Sequence, residues 1–401
     1  MTAPADAALP GSRAELVAAA RALAPQTQAR RVEIERGRRV PLPLIEAMKA
    51  AGLFRILLPR ALGGIDGHPL TAIRVIEEVS RADGAVGWNL MIGMEQAMFA
   101  GFVREDVARA IWGLDPDAIT AGSGQPRGRA VAVPGGYRVS GQWPFNSGCH
   151  HASWLWGNCR LYDDETAPRT RPDGTPVFRF VLFPAEQAEI VETWHTGGLR
   201  GTGSDDFAVR GQFVPEEHTF TRLTADPTER PWPDDPLFCF PYMSIAAVTV
   251  CAVPLGIARA AIEALLALAQ AKAPTGQTSL LCERAAVQAG VARAEALLRS
   301  ADAFLRETVE ETWACALRGE PATLDQRAQL RLAATHAGIT AAQAVDLMYN
   351  AGGASSIYEA NPLERCFRDV HTATAHAQIW PANFETVGQV LLGLPPSGAY
   401  L

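Results

Sequence analysis

The stretch from Ala121 to Trp154, AGSGQPRGRAVAVPGGYRVSGQWPFNSGCHHASW, is where the chain changes character. Ahead of it, apolar residues recur at helical spacing. Within it, short runs of β-branched and aromatic residues stand between glycines and prolines, the signature of strands and turns. Gly135-Gly136 supplies a turn before Tyr137-Arg138-Val139-Ser140, so a β domain is predicted to open here. Two small-residue segments, Ala121–Pro126 and Gly141–Gly148, fall at strand ends. Trp143 and Phe145, with Trp154, either wall a flat aromatic ligand or fill a β core.

Upstream, Leu42, Leu44, Ile45, Met48 and Leu53 form one helical stripe, and Ile73, Ile76 and Val79 form another over Leu70–Arg81. Asp83-Gly84 is read as the end of that helix, with a new apolar helix over Val86–Phe102. Downstream, Val177–Phe183 and Asp206–Pro215 read as strands, and the polar segment Asp163–Gly174 as an exposed hairpin loop. Proline-rich Asp226–Pro236 reads as a linker. Beyond it the chain is alanine-rich and helical. Val287, Val291, Ala294 and Leu298 make a bundle-type stripe, and Leu324–Met348 is similar. The apolar run Met243–Ala273 holds Arg259 and Glu263 and is read as a buried helix, not a membrane span. The predicted class is α+β, with helices over 1–120, a β domain over 121–225 and a helical bundle over 237–401. A crevice between helical layers and a β module is a natural place for a cofactor.

A chain of 401 residues is too long for one simple core, which agrees with three parts. The net charge of −7 gives no global attraction to nucleic acid or to anionic lipid. Seven scattered cysteines without a CxxC pair argue against a disulfide framework and against structural zinc, and for reduced thiols in a cytoplasm. The first residues lack a basic start followed by an apolar core, so no secretory leader is expected.

Two histidines, His371 and His376, stand five apart in RDVHTATAH, Arg368–His376. On a straight helix that spacing is about 500° of rotation, so the rings diverge by roughly 140°. A metal pair needs spacing of three or four, and no His or Cys lies close by, so no metal site is expected. Separate roles follow, one histidine facing a cavity and the other a partner surface, or else both are ordinary helix residues. On a strand, adjacent His150 and His151 would point to opposite faces, so they are not expected to share a ligand. Ser147 does not sit in a GxSxG elbow. Gly201-Thr202-Gly203-Ser204, after Gly197-Gly198-Leu199-Arg200, lacks the lysine of a phosphate-binding loop. It is either a loop that approaches a polar ligand or a tight β turn.

Four strings, SRADGAVGWNL (Ser80–Leu90), the Ala121–Trp154 stretch, GGLRGTGSDDFAVRGQFVPEEHTF (Gly197–Phe220) and NPLERCFRDVHTATAHAQIWPANFETVG (Asn361–Gly388), together resemble the acyl-CoA dehydrogenase family. In detail they resemble its oxygenase branch, the flavin-dependent monooxygenases that work with a separate NAD(P)H-dependent flavin reductase. The resemblance implies N-terminal helices, a central β barrel or sandwich, a C-terminal four-helix bundle and a homotetramer. It places the Ser147 hydroxyl near N5 of the isoalloxazine with Asn146 beside it, and Trp143 and Phe145 flanking the ring. Ser123 and Gln125 fall by the pyrimidine side, and Arg200, Thr202 and Ser204 border the pocket. His376 is implied as a base or as the group that orients a peroxide, with His371 as second candidate. The dehydrogenase base position falls on Ala377, and Glu359 is out of register. The implied reaction is hydroxylation of a small organic substrate, at an aromatic carbon or an amine nitrogen, by reduced FMN or FAD and O2 through a flavin C4a-hydroperoxide. The alternatives are an acyl-CoA dehydrogenase or oxidase with its base elsewhere, and a non-catalytic flavin-fold binding protein.

Overall fold

Side chains of Ser12, His68 and Asp83 cap three helix starts in the first part of the chain. The computed structural model describes residues 11–221, 231–274 and 276–397. Ser12 and Glu15 form a reciprocal capping box at α1 (Arg13–Ala22), which is followed by the short α2 (Ala24–Ala29), α3 (Arg31–Gly37) and α4 (Leu42–Ala50). In α5 (Pro69–Ala82) ten of fourteen residues are buried, so this helix belongs to the core rather than to the surface. Asp83 does more than stop α5. Its carboxylate accepts from the amides of Ala85 and Val86 and starts α6 (Gly84–Gln96) without an intervening loop. The apolar stretch expected as one helix to Phe102 leaves α-geometry at Gln96 and continues as a 3-10 segment, Ala97–Gly101. The short α7 (Glu105–Ala108) follows.

The β domain is one mixed sheet of seven strands: β1 (Thr120–Val133), β2 (Gly136–Trp143), β3 (Trp154–Tyr162), β4 (Phe178–Pro184), β5 (Glu189–Val191), β6 (Asp206–Pro215) and β7 (Thr219–Phe220). The order is β5-β6-β2-β1-β3-β4-β7, with β1 and β3 parallel and every other neighbouring pair antiparallel. Residues 163–177, between β3 and β4, are mostly exposed polar chain held by two isolated bridges. One side chain organises the inner face. Trp143 is fully buried, stacks on Phe207 and donates its indole N–H to the Asn158 carbonyl at 2.9 Å. It fits because Gly128, Gly141 and Gly157, on three different strands, leave the room. A Cβ on any of them would come within 2.2 to 2.8 Å of the indole.

The last part holds α8 (Tyr242–Ala271), α9 (Ala285–Ala316), α10 (Leu324–Gly352), α11 (Pro362–Ala373) and α12 (Asn383–Leu391). Part of the expected linker, residues 222–230, lies outside the described residues. α8 is the hub, packed against α5, α6, α10 and α11. By length and composition α8 could cross a bilayer, but 89% of its most apolar window is buried inside the protein. Burial of that unbroken apolar surface is the main driving force for docking the N-terminal helices on the bundle.

Contact between α5 and α8 is close because Gly256 faces the backbone of α5. A Cβ there would sit 2.4 Å from the Glu77 carbonyl oxygen and 2.7 Å from Ser80 Cβ. In an exposed helix interior, Gly→Ala stabilises by about 1 kcal/mol. Here the sign should invert, and Gly256→Ala should cost about 1–3 kcal/mol. Chemical denaturation of the two proteins measures it, and a stabilised variant would contradict this packing.

Candidate functional site

Three segments converge on Ser147: the loop after β2, the loop before β6, and α6. The post-β2 loop is pinned by Asn146, which is fully buried. Its backbone N–H and its side-chain amide both donate to the Asp205 carbonyl, at 3.2 and 3.1 Å. The amide also donates to the Trp143 carbonyl. This pinning holds Phe145 at φ +64°, a costly conformation for a bulky residue, and leaves its ring 61% exposed, edge-on to Trp194.

Ser147 itself is buried and sits in an unbroken line of polar groups. The Trp88 indole N–H donates to its Oγ at 2.9 Å, and Ser204 Oγ lies 2.7 Å away. Ser204 in turn is 2.6 Å from Thr202 Oγ1, which donates to the Leu199 carbonyl at 2.9 Å. Asn89, next to Trp88 on α6, donates to the Thr202 carbonyl at 3.3 Å. The edge of the Trp88 ring meets the ring of His376 at 5.4 Å between centroids. Thus Ser147, Thr202, Ser204 and His376 come together, and Trp88 joins them.

The loop carrying Thr202 and Ser204 is clamped onto α11. The Leu199 amide donates to Asp369 Oδ1 at 2.6 Å. Gly198 passes so near the helix that a Cβ would lie 2.1 Å from the Arg368 carbonyl oxygen. Arg365, one turn earlier, lies 3.4 Å from Asp369 Oδ2 and 2.7 Å from Asp83 Oδ2. Burial pushes Asp369 up to about 6 against the pull of Arg365, with the Asp83 charge adding to the rise.

Other expected site residues lie elsewhere. Trp143 fills the sheet core and does not border this cluster. Arg200 turns to Glu35 of α3, at 3.5 Å, a carboxylate it shares with Arg368. Ser123 and Gln125 occupy an irregularity of β1, where register with β3 slips between Ser123 and Gly128. The Gln125 amide donates to Ser123 Oγ at 3.4 Å. His371 and His376 do not share a helix, because α11 ends at Ala373. His371 faces out, pairs with Asp346 at 2.9 Å and is 43% exposed, so it takes no part in the cluster. His376 instead caps the 3-10 turn Ala377–Ile379, its Nδ1 accepting from the Gln378 amide at 3.4 Å. Burial, helped by the positive charge of Arg331, lowers His376 to about 4. The ring is therefore neutral near pH 7, and with Nδ1 accepting, its proton sits on Nε2.

Trp88 was visible in the sequence within SRADGAVGWNL, but nothing local marked its role. Glu95 was missed altogether. It lies seven residues after Trp88, two turns of α6 and about 10 Å along the same face. Ile92, between them, is only half-buried on an otherwise buried helix. Glu95 is buried, with Tyr242 Oη 3.2 Å from Oε1 and Thr249 Oγ1 2.9 Å from Oε2. Thr249 also lies 2.9 Å from the Ile245 carbonyl, which can only accept. Shared between these two acceptors, the Thr249 hydroxyl gives Glu95 only part of a hydrogen bond, and desolvation pushes the carboxyl up to about 8, so it is largely protonated near neutral pH. Phe99 packs on Tyr242 and Trp156, so the neutral acid lies beside an aromatic wall.

The folded protein holds the Glu95 proton from about pH 4.5 to about 8, where the unfolded chain does not. Stability should therefore fall as pH rises through that window, with a slope approaching 1.4 kcal/mol per pH unit for this group. Glu95→Gln keeps the hydrogen-bond pattern and removes the slope. Urea unfolding of both proteins at pH 5.5 and 7.5 should show the variant gaining on the wild type at the higher pH.

Comparison with known proteins supplies context for this geometry. Residues 12–106 match the acyl-CoA dehydrogenase N-terminal domain and residues 248–381 the acyl-CoA dehydrogenase C-terminal domain. The indole-3-acetate monooxygenase of Pseudomonas putida is 36% identical over 93% of this chain and 92% of its own. The oxygenase component of the FADH2-dependent resorcinol hydroxylase of Rhizobium sp. (strain MTP-10005) is 31% identical over 92% of this chain and 91% of its own. Among solved structures, XiaF from Streptomyces sp., in complex with FADH2 and glycerol, superposes with a TM-score of 0.90 at 26% identity, covering 97% of this chain and 98% of its own. The 3-HSA hydroxylase from Rhodococcus sp. RHA1 gives a TM-score of 0.87 at 26% identity, covering 96% and 99%.

Proposed function

This chain belongs to the acyl-CoA dehydrogenase family and, within it, to the flavin-dependent monooxygenases, and on that footing we propose that the Ser147 cluster is where it hydroxylates a small aromatic substrate. It is the oxygenase component of a two-component system, served by a separate flavin reductase. Its cofactor is reduced FMN or FAD, used with O2. The observation that carries the assignment of the site is the convergence of buried Trp88, Ser147 and Ser204 with half-buried His376.

The residues present fit a flat ring with polar edges. Phe145 offers an exposed aromatic face beside the Ser147 hydroxyl. Asn89 Oδ1, Asn146 Oδ1 and His151 Nε2 are buried polar atoms without a protein partner. Asn89 Oδ1 and His151 Nε2 both flank Gly148, where a Cβ would lie 3.3 and 3.2 Å from them. Reduced flavin, when bound, supplies the electrons that let dioxygen give one atom to the substrate and the other to water. Ser147 holds the ring edge, Phe145 supports a face, and Thr202 and Ser204 keep Ser147 in place. His376 keeps its proton on Nε2, with its ring against that of Trp88. Since its Nδ1 already accepts from Gln378, the ring is better suited to orient an oxygen than to remove a proton. A phenol or an indole is the substrate class we favour, since the relatives include an indole-3-acetate monooxygenase and a resorcinol hydroxylase. Absence of a carboxylate at Ala377 weighs against the dehydrogenase reading, which needs a base to take the substrate's α-proton. The exposed apolar residues Trp380, Phe384, Leu391, Leu392 and Leu394 support self-association, which we read as a homotetramer, and the free cysteines support a cytoplasmic setting beside its reductase.

The test is to supply purified protein with chemically reduced FMN or FAD, oxygen and a panel of phenols and indoles. Hydroxylated product is expected, and His376→Ala should lower kcat by roughly tenfold to a thousandfold. His371→Ala should leave kcat unchanged. With His376 lowered to about 4, the pH–rate profile should show no inflection near 6.5 from this residue. Turnover of an acyl-CoA by oxidised flavin, with no hydroxylated product, would replace this reading with the dehydrogenase one.

A further inference from the structure

We infer that Thr202 and Ser204 fix the direction of the Ser147 hydroxyl, so that Ser147 meets the bound ring as a hydrogen-bond acceptor and favours reduced over oxidised flavin. The inference rests on the proposed placement of Ser147 at the N5 edge of the ring.

The direction follows from the end of the line. Thr202 Oγ1 lies 2.9 Å from the Leu199 carbonyl oxygen, which has no hydrogen, so the shared proton comes from Thr202. A threonine hydroxyl has only one. The 2.6 Å contact between Thr202 and Ser204 must then be donated by Ser204. Ser204 has now used its proton, and the 2.7 Å contact between Ser204 and Ser147 must be donated by Ser147. The remaining neighbour of Ser147, Trp88 Nε1, can only donate, and does so at 2.9 Å. Ser147 has therefore given away its proton, has accepted one hydrogen bond, and has one lone pair left.

That lone pair discriminates between the two redox states. N5 of a reduced flavin carries a hydrogen and can donate to it. N5 of an oxidised flavin carries only a lone pair, and the contact becomes oxygen against nitrogen with no proton between them. A buried pair of facing acceptors is unfavourable, since neither group finds its partner. The polarity is also firmly held. The Leu199 carbonyl at the end of the line is held in place by the Trp194 indole N–H at 3.0 Å and the Thr202 backbone N–H at 3.1 Å besides the Thr202 hydroxyl, and the Leu199 amide is bound by Asp369.

Dissociation constants for dithionite-reduced and for oxidised FMN and FAD, measured anaerobically, test the inference without turnover. Wild type should bind the reduced form more tightly. Thr202→Val removes the last donor of the line, and Ser204→Ala removes the acceptor of Ser147. Each frees a proton for N5 of the oxidised ring and should narrow the ratio of the two constants by about tenfold. For the two-electron couple that is a fall of about 30 mV in the potential of the bound flavin. Thr202→Ser should keep the wild-type ratio. Equal wild-type affinities would overturn the inference, as would variants that weaken both redox states in proportion, the result of mere loosening. If either variant fails to fold, the other carries the test, and the wild-type ratio stands independently of both. Failure of the proposed function looks different: reduced flavin binds with the expected preference, yet no substrate is hydroxylated.

Discussion

The guanidinium of Arg365 is the point on which the three parts of this protein are registered. It lies between Asp83, at the junction of α5 and α6, and Asp369, which holds the loop ahead of β6. Glu35 of α3 lies 3.6 Å away and also receives Arg368. Taking such charges out of water is costly, and an apolar cluster of equal volume would stabilise the fold as well or better. What the ion group provides is geometry. Asp83 sets the first turn of α6 and so the position of Trp88, while Asp369 sets Leu199 and so Thr202 and Ser204. The groups that reach Ser147 from two sides thus share one anchor, although Trp88 and Ser204 are more than a hundred residues apart in the chain.

The architecture was legible wherever local pattern decides local structure. Strand β6 runs over the residues read as a strand, Asp206–Pro215, and α5, α9 and α10 follow their apolar stripes. The site was legible in part, through loops whose glycines and hydroxyls signal close approach. What could not be read were contacts between distant segments. Trp143 looked like a cofactor wall because the three glycines that accommodate it sit on different strands. Arg200 sits in the right loop, but its side chain reaches for a carboxylate on a helix more than 160 positions earlier. The histidine pair was judged on a continuous helix, whereas α11 stops at Ala373 and the two rings part company for that reason. Glu95 sits in an apolar helix with no motif around it, and only Tyr242 and Thr249 on α8 make sense of it.

A common thread joins these buried polar groups. Near neutral pH, His376 and Glu95 are both uncharged, and the hydroxyl line from Ser147 to Leu199 carries no formal charge. Full charges sit on the Arg365 group and on buried Arg331, whose cation helps to keep His376 neutral. Neutral dipoles around Ser147 can stay buried and paired, because burying an unpaired ion there would cost far more than burying a satisfied dipole. The charged groups register the segments, and the neutral ones make up the Ser147 cluster.

The slot that holds Trp143 constrains how this scaffold can change. An indole wedged against three glycine backbones cannot be exchanged for a smaller side chain without leaving a void, and none of the glycines can acquire a side chain while the indole remains. Positions 128, 141, 143 and 157 can therefore vary only as a set. The sheet keeps one shape while the loops at its rim are free to diverge, so a catalyst evolved from this protein toward new aromatic substrates would find its tolerated substitutions in those loops and on α6, and scarcely any among these four.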